Sequence, residues 1–338
     1  MVDETLATML FADLMNPSEL ATNLSLQEYD EMIVDFQNTM SLVSSSHLRE
    51  YGYVGGGVDS EWSLSGEELR IFLYSGDLYF DVRNVLLISV KIKLGWLASI
   101  FNQKILMEGR PASRLSVGID YGHVIKDIRH RPVSMRQYLN PVKGHALHLT
   151  KRIESVARDG TVYQVMAGER LHQFCSEHNP VNVSFSRPWH NAIKELEKEI
   201  AIYEVVALIN HEIVPTMPDS FRDRLQEVME YAAVQPMPEP WVYFTLLRHY
   251  ISDIIRDGRE ETADKAVRLA NRALGALEYK KTLYNILGWL HTNCDSLRNA
   301  DKALQYFDQA LNIDPNDRVA SVHRARIKGA SSGRQVQS

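Results

Sequence analysis

Five of the chain's 12 prolines, Pro215, Pro218, Pro236, Pro238 and Pro240, lie between positions 215 and 240. Each removes a backbone donor and biases the residue before it away from helix, so no continuous helix or central strand can run through this stretch. The sequence is therefore expected to fold as two parts, 1–206 and 241–328, joined by a proline-rich connection over 207–240. A polar tail over 329–338 is expected to be disordered.

The two parts differ in period. Before the prolines, β-branched and aromatic runs alternate with helical patterns. Strands are expected over Thr8–Asp13, Glu68–Ser75, Leu115–Tyr121, Thr161–Val165, Val181–Ser184 and Ile200–Val206, and helices over Ser18–Val43, Asp81–Gln103 and His145–Val156. This is an α+β arrangement, a sheet sandwiched with helices. After the prolines nearly everything reads as helix, with small residues at Ala266, Ala270 and Ala273 and again, with Phe307, at Ala303 and Ala310. Together with Leu287-Gly288 and Pro315, the second set resembles a tetratricopeptide repeat, although the span between Gly288 and Ala303 is longer than that pattern has. A plain helical bundle is the other reading of this all-α part.

Several classes are excluded by composition. With 45% hydrophobic and 24% charged residues, the chain is neither fibrous nor wholly disordered. A net charge of −6 argues against nucleic acid as a partner held by a whole-protein positive field. Cys175 and Cys294 form no CxxC or zinc spacing, which fits a reducing cytoplasm. The most apolar stretch, Val85 to Phe101, is interrupted by Lys91 and Lys93, so no membrane association is expected. Acidic Asp3 and Glu4 stand where a secretory signal would carry basic residues.

The candidate chemistry begins at Met9-Leu10-Phe11-Ala12-Asp13-Leu14, an apolar strand that delivers one carboxylate at its end. Asn16, Pro17 and Glu19 then supply a helix cap, a first helical position and a capping-box acid. A carboxylate beside helical N–H groups suits a divalent cation carrying a triphosphate. The bland reading of Asp13 is a solvated loop acid.

Further segments, in order, resemble the class III nucleotidyl cyclases over residues 7–206. Phe11-Ala12-Asp13-Leu14 is similar to the family's first metal motif, and Ser18-Glu19-Leu20 to the helix start after it. Leu115 to Gly122 is similar to its central strand, and Gly144 to Ser155 to the helix bearing its transition-state residues. Ile193-Lys194-Glu195-Leu196 with Ile202-Tyr203-Glu204-Val205 is similar to its lysine segment and closing strand. The resemblance implies a homodimer with head-to-tail shared sites and two divalent metal ions, Mg²⁺ or Mn²⁺, as cofactors. It implies metal ligation by Asp13 and by Glu67, which stands where the family has Asp; Glu68, Asp59 and Asp77 are the alternative second acids. It also implies Arg152 and His148 as catalytic residues, His148 replacing an asparagine, and Lys194 as a phosphate-binding residue. Leu14, Asn16 and Ser18 would contact the nucleotide near the metals.

The base-reading positions depart from the family, with Ser63 and Pro141 where purine cyclases carry lysine and aspartate. Losing a donor and its paired acceptor removes that means of reading adenine. The chain thus most resembles the bacterial antiphage pyrimidine cyclases of the Pycsar type, which implies UTP, or CTP, as substrate and a cyclic-nucleotide second messenger as product. Ser63 and Asn140 can each donate and accept and so suit either pyrimidine edge; UTP is the substrate favoured. The competing readings are a purine cyclase and a catalytically inactive nucleotide sensor. The helical part is expected to be a regulatory module for a protein partner.

Overall fold

The structure is a computed structural model and describes residues 2–15, 22–53, 59–110, 112–127, 142–181, 183–192, 199–208, 230, 240–276 and 280–334. The chain divides into two units, Met1–Val228 and Met229–Ser338.

The first unit is a mixed sheet with helices. Its strands are β1 (Val2–Leu14), β2 (Asp59–Ser65), β3 (Glu68–Tyr74), β4 (Leu115–Asp127), β5 (Val142–Lys143), β6 (Val165–Gly168), β7 (Val183–Phe185), β8 (Trp189–Ala192) and β9 (Glu199–Leu208). Its helices are α1 (Leu26–Glu50), α2 (Leu78–Leu97), α3 (Ile100–Met107), α4 (His145–Val156) and α5 (Glu169–His178). The sheet order is β2-β3-β1-β4-β6-β9-β7, with β5 added to β4 and β8 to β9. Through β4 this is a βαββαβ core: the α1 connection takes the chain past β3, and the α2 connection takes it past β1. Strand β1 lies between antiparallel β3 and β4, while β6 pairs parallel with β4.

Alternation along β1 sorts its side chains into two layers. Ala7, Met9 and Phe11 pack with Phe72, Tyr74 and the α4 residues Ala146 and Leu147. On the other face Leu10, Ala12 and Leu14 are fully buried. Helix α2 is buried on nearly all sides, which explains its almost unbroken apolar run. Its two lysines are buried rather than solvated: the Lys91 ammonium lies 3.0 Å from Nδ1 of His47, and Lys93 donates to the carbonyl of Leu115 and, at 3.2 Å, to Gln164. Among the described residues no single helix is long and apolar enough to cross a membrane, though α2 and α3, bent by 48°, pass that test as a pair.

The expected elements shift in informative ways. The single helix over Asp81–Gln103 is two, broken where the Ser99 side chain accepts from the Asn102 N–H and starts α3. The expected capping box at residues 16–19 lies outside the described residues; α1 is capped by a reciprocal Ser25–Glu28 pair. The strand expected over Thr161–Val165 begins only at Val165. Instead, the N–H groups of Thr161, Val162, Tyr163 and Gln164 donate at 2.7–3.0 Å to the buried carboxylate of Glu204, and Gln164 adopts φ 55°. Helix α5 was not anticipated, although Leu171 and Cys175, four residues apart, form its buried stripe.

The second unit contains α6 (Pro240–Asp257), α7 (Glu261–Ala276), α8 (Lys280–Asn293), α9 (Ala300–Ile313) and α10 (Arg318–Arg334). Ala303, Phe307 and Ala310 of α9 pack with Ala320 and Ile327 of α10. A β-carbon on Gly288 would stand 2.7 Å from the Phe307 ring, so this glycine lets α8 and α9 approach closely. Helix α10 runs through Gly329, the expected start of the tail, because Ala325, Arg326, Lys328 and Ala330 are good helix formers.

Candidate active site

Strand register brings the first carboxylate pair together. Asp13 follows Phe11 on the α4-facing side of β1, and its antiparallel partner across the ladder is Glu68 on β3. Directly opposed residues on paired strands point to the same side, so both acids face α4. The two-residue turn Gly66-Glu67 places these positions, with Gly66 at φ 59°, in the left-handed region.

Helix α4 completes the cluster. Gly144, at φ 149°, turns the chain from β5 into the helix. Ala146, Leu147, Leu149, Thr150 and Ile153 form its buried face, and Glu154 lies in that face too. The α4 backbone rests on Gly118 of β4: a β-carbon there would stand 2.3 Å from the Glu154 nitrogen and 2.7 Å from the Thr150 oxygen. This close approach places Glu154 where Ser116 donates to its carboxylate.

The Lys151 ammonium is the hub. It lies 2.5 Å from Glu68, 2.9 Å from Glu154 and 3.4 Å from Asp13. Arg158 reaches Asp13 at 3.5 Å, and Arg70 pairs with Glu68. Three carboxylates are thus met by three cations. Burial would lower the Lys151 pKa, but its contacts with Glu68 and Glu154 outweigh this and hold it above the ordinary lysine value. Desolvation raises the Asp13 pKa, opposed by Lys151 and reinforced by the charges of Glu154 and Glu68.

The other site residues expected from sequence are distributed as follows. Glu67 is turned towards α1, where Tyr29 donates to its carboxylate; that hydrogen bond, with desolvation, pushes the Tyr29 hydroxyl up to about 12. Leu14 is fully buried, and its N–H donates to the Glu67 carbonyl at 3.2 Å. Asp59 begins β2 opposite Tyr74, at the far end of the hairpin from its turn. Asp77 caps α2 by accepting from the Phe80 N–H. His148 and Arg152 occupy the exposed face of α4, one turn apart. Ser63 is exposed on β2 opposite Arg70. Asn16, Ser18, Asn140 and Lys194 lie outside the described residues. Lys151 and Glu154 were missed by sequence reasoning; their only signal is an i, i+3 opposite-charge pair flanking Arg152.

Carboxylate oxygens are hard donors suited to Mg²⁺ or Mn²⁺, and a cluster that already gathers an ammonium favours positive charge. In that respect Asp13 and Glu68 fit a divalent cation. The three acids, however, converge on the lysine, and among the described residues no set of three His, Cys, Asp or Glu is arranged to hold a metal ion.

No protein-family model matches the chain, and no curated protein matches its sequence. Among solved structures it is similar to the adenylyl cyclase CyaB from P. aeruginosa, with 15% identity over 61% of this chain and 96% of that one and a TM-score of 0.47. The guanylyl cyclase Cya2 is similar with 17% identity, coverage of 61% and 94%, and a TM-score of 0.47. An adenylate/guanylate cyclase/hydrolase from Silicibacter pomeroyi shows 13% identity, coverage of 61% and 99%, and a TM-score of 0.43.

Proposed function

We propose that the first unit is a class III nucleotidyl cyclase that converts a nucleoside triphosphate to its 3′,5′-cyclic monophosphate and pyrophosphate. The observation that carries this reading is the pairing of Asp13 with Glu68 on facing strands, beneath a helix that exposes His148 and Arg152. A bound divalent cation would acidify the ribose 3′-hydroxyl and neutralise the triphosphate. Asp13 and Glu68 would hold that charge, with Glu67 one residue away in the turn. The 3′-oxygen attacks the α-phosphorus, its proton leaves to solvent, and the bond to the bridging oxygen breaks to release pyrophosphate. Arg152 stabilises negative charge on the α-phosphoryl oxygens, and His148 orients the substrate by a hydrogen bond.

Exposure of His148 and Arg152 on one face of α4 is compatible with these groups serving the acids of a second copy, in a head-to-tail homodimer. Ser63 in place of a base-reading lysine supports a pyrimidine, UTP ahead of CTP, and with it a second-messenger role in antiphage defence. Lys194 would bind phosphate, and the helical unit would engage a protein partner. Incubating the protein with each of the four triphosphates and Mn²⁺, then identifying the product by mass, tests the reading. Cyclic UMP or cyclic CMP is expected; cyclic AMP or cyclic GMP would overturn the base assignment, and nucleotide binding without pyrophosphate release would overturn the enzyme.

A further inference from the structure

We propose that Lys151 is a tethered cation that holds the acid cluster closed to free metal and must leave Asp13 and Glu68 before a divalent ion can bind. This rests on the cyclase reading for the metal but not for the geometry. One ammonium is shared among three carboxylates drawn from three elements, β1, β3 and α4. Glu154, in the same helix and three residues on, is almost wholly buried and anchors the lysine from behind. The position is reachable from solvent, because the Lys151 side chain remains about a third exposed.

Charge balance gives the consequence. Asp13, Glu68 and Glu154 are matched by Lys151, Arg158 and Arg70, so the cluster is locally neutral as it stands. A divalent ion entering beside a retained ammonium meets like charge at contact distance, whereas an ion replacing it takes over the carboxylate oxygens the ammonium held, with Arg158 and Arg70 still at the edge of the cluster. A metal arriving with a nucleoside triphosphate also brings anionic oxygens to which the displaced ammonium can transfer. Lys151 is thus a positioning residue: metal alone binds weakly, and metal with nucleotide binds well.

The test measures Mn²⁺ binding to the full chain without nucleotide, by the electron paramagnetic resonance signal of free Mn²⁺. Lys151→Met should bind Mn²⁺ at least about tenfold more tightly than the parent, and adding Asp13→Asn should erase the gain. Lys151→Gln serves the same purpose if the methionine variant melts early. A second readout uses the unmodified protein: Mn²⁺ raised until the resonance signal shows the site filled should increase acylation of the Lys151 amine, followed by peptide mass, as the ammonium leaves the carboxylates. Unchanged or weaker Mn²⁺ binding by a folded variant would overturn the proposal, as would Lys151 labelling that ignores Mn²⁺. Both measurements are independent of turnover. A chain that shows both effects yet makes no cyclic nucleotide loses the cyclase reading and keeps this one; a chain that cyclises without either effect does the reverse.

Discussion

Gly118→Ala is the substitution that most directly tests how the site is held. The added methyl group would lie 2.3 Å from the Glu154 nitrogen, 2.6 Å from its Cα and 2.7 Å from the Thr150 oxygen, all backbone atoms. No side chain can rotate to make room, so α4 must retreat by roughly 1 Å to restore ordinary contact. Overpacking of this kind costs about 1–3 kcal/mol. In a unit of about 200 residues that corresponds to a fall in melting temperature of about 3–10 °C. Lys151, Arg152 and Glu154 move with the helix, and a misplacement of roughly 1 Å costs about a hundredfold in turnover. Calorimetry and a cyclisation assay on the same preparation read both effects. Gly275→Ala is the control: that glycine is helical, has nothing within 4 Å of an added β-carbon, and should gain up to about 1 kcal/mol. Unaltered melting of Gly118→Ala would refute the seating of α4 on β4. Reduced melting with full turnover by the folded fraction would refute the claim that this seating positions the chemistry.

Asp13→Asn should raise the melting temperature while abolishing cyclisation: the raised pKa of Asp13 means that its ionised form opposes folding at neutral pH, and the gain should shrink as pH falls through that pKa. Glu68→Gln should raise the Mn²⁺ concentration for half-maximal turnover at least about tenfold and Glu67→Gln less than about threefold; the opposite ranking would move the second acid to Glu67. Burial, then Lys91 and Arg83, hold His47 well below 6.5, so the native state refuses a proton that the unfolded chain accepts. Stability should accordingly fall by about 1.4 kcal/mol per pH unit below that value from this group, and His47→Gln should flatten the slope in pH-dependent melts. Mixing inactive Asp13→Ala with inactive Arg152→Ala should restore activity if sites are shared between copies, and mixtures that exchange subunits yet stay silent would place each site within one chain.

The strand carrying Asp13 and the helix carrying Arg152 were legible in the sequence because their periods are set by local burial. Alternation ending in one acid marks β1, and residues 145–156 match α4 to the residue. Glu68 was harder to read because the turn offers adjacent acids, and only the antiparallel register decides which opposes Asp13. Lys151 was invisible as a site member since its three partners come from positions up to 138 residues away. Lys91 and Lys93 read only as charges that interrupt an apolar run, and their burial by contacts to His47 and Leu115 is something no local pattern encodes. The loop at residues 161–164 has strand-like composition, but a remote carboxylate takes its N–H groups and overrides that propensity.

That carboxylate has a bearing on how the protein is made. Glu204 emerges from the ribosome 40 residues after Gln164, and until then four consecutive amide donors lack the acceptor that shapes their loop. Strand β6 follows this loop directly and pairs with β4 on one side and β9 on the other. A chain that stops short between these positions therefore leaves β6 without its antiparallel partner β9, with unsatisfied amides beside it and an entry point for proteases. One buried acid on β9 thus makes the order of a loop depend on a strand that the ribosome delivers 40 residues later.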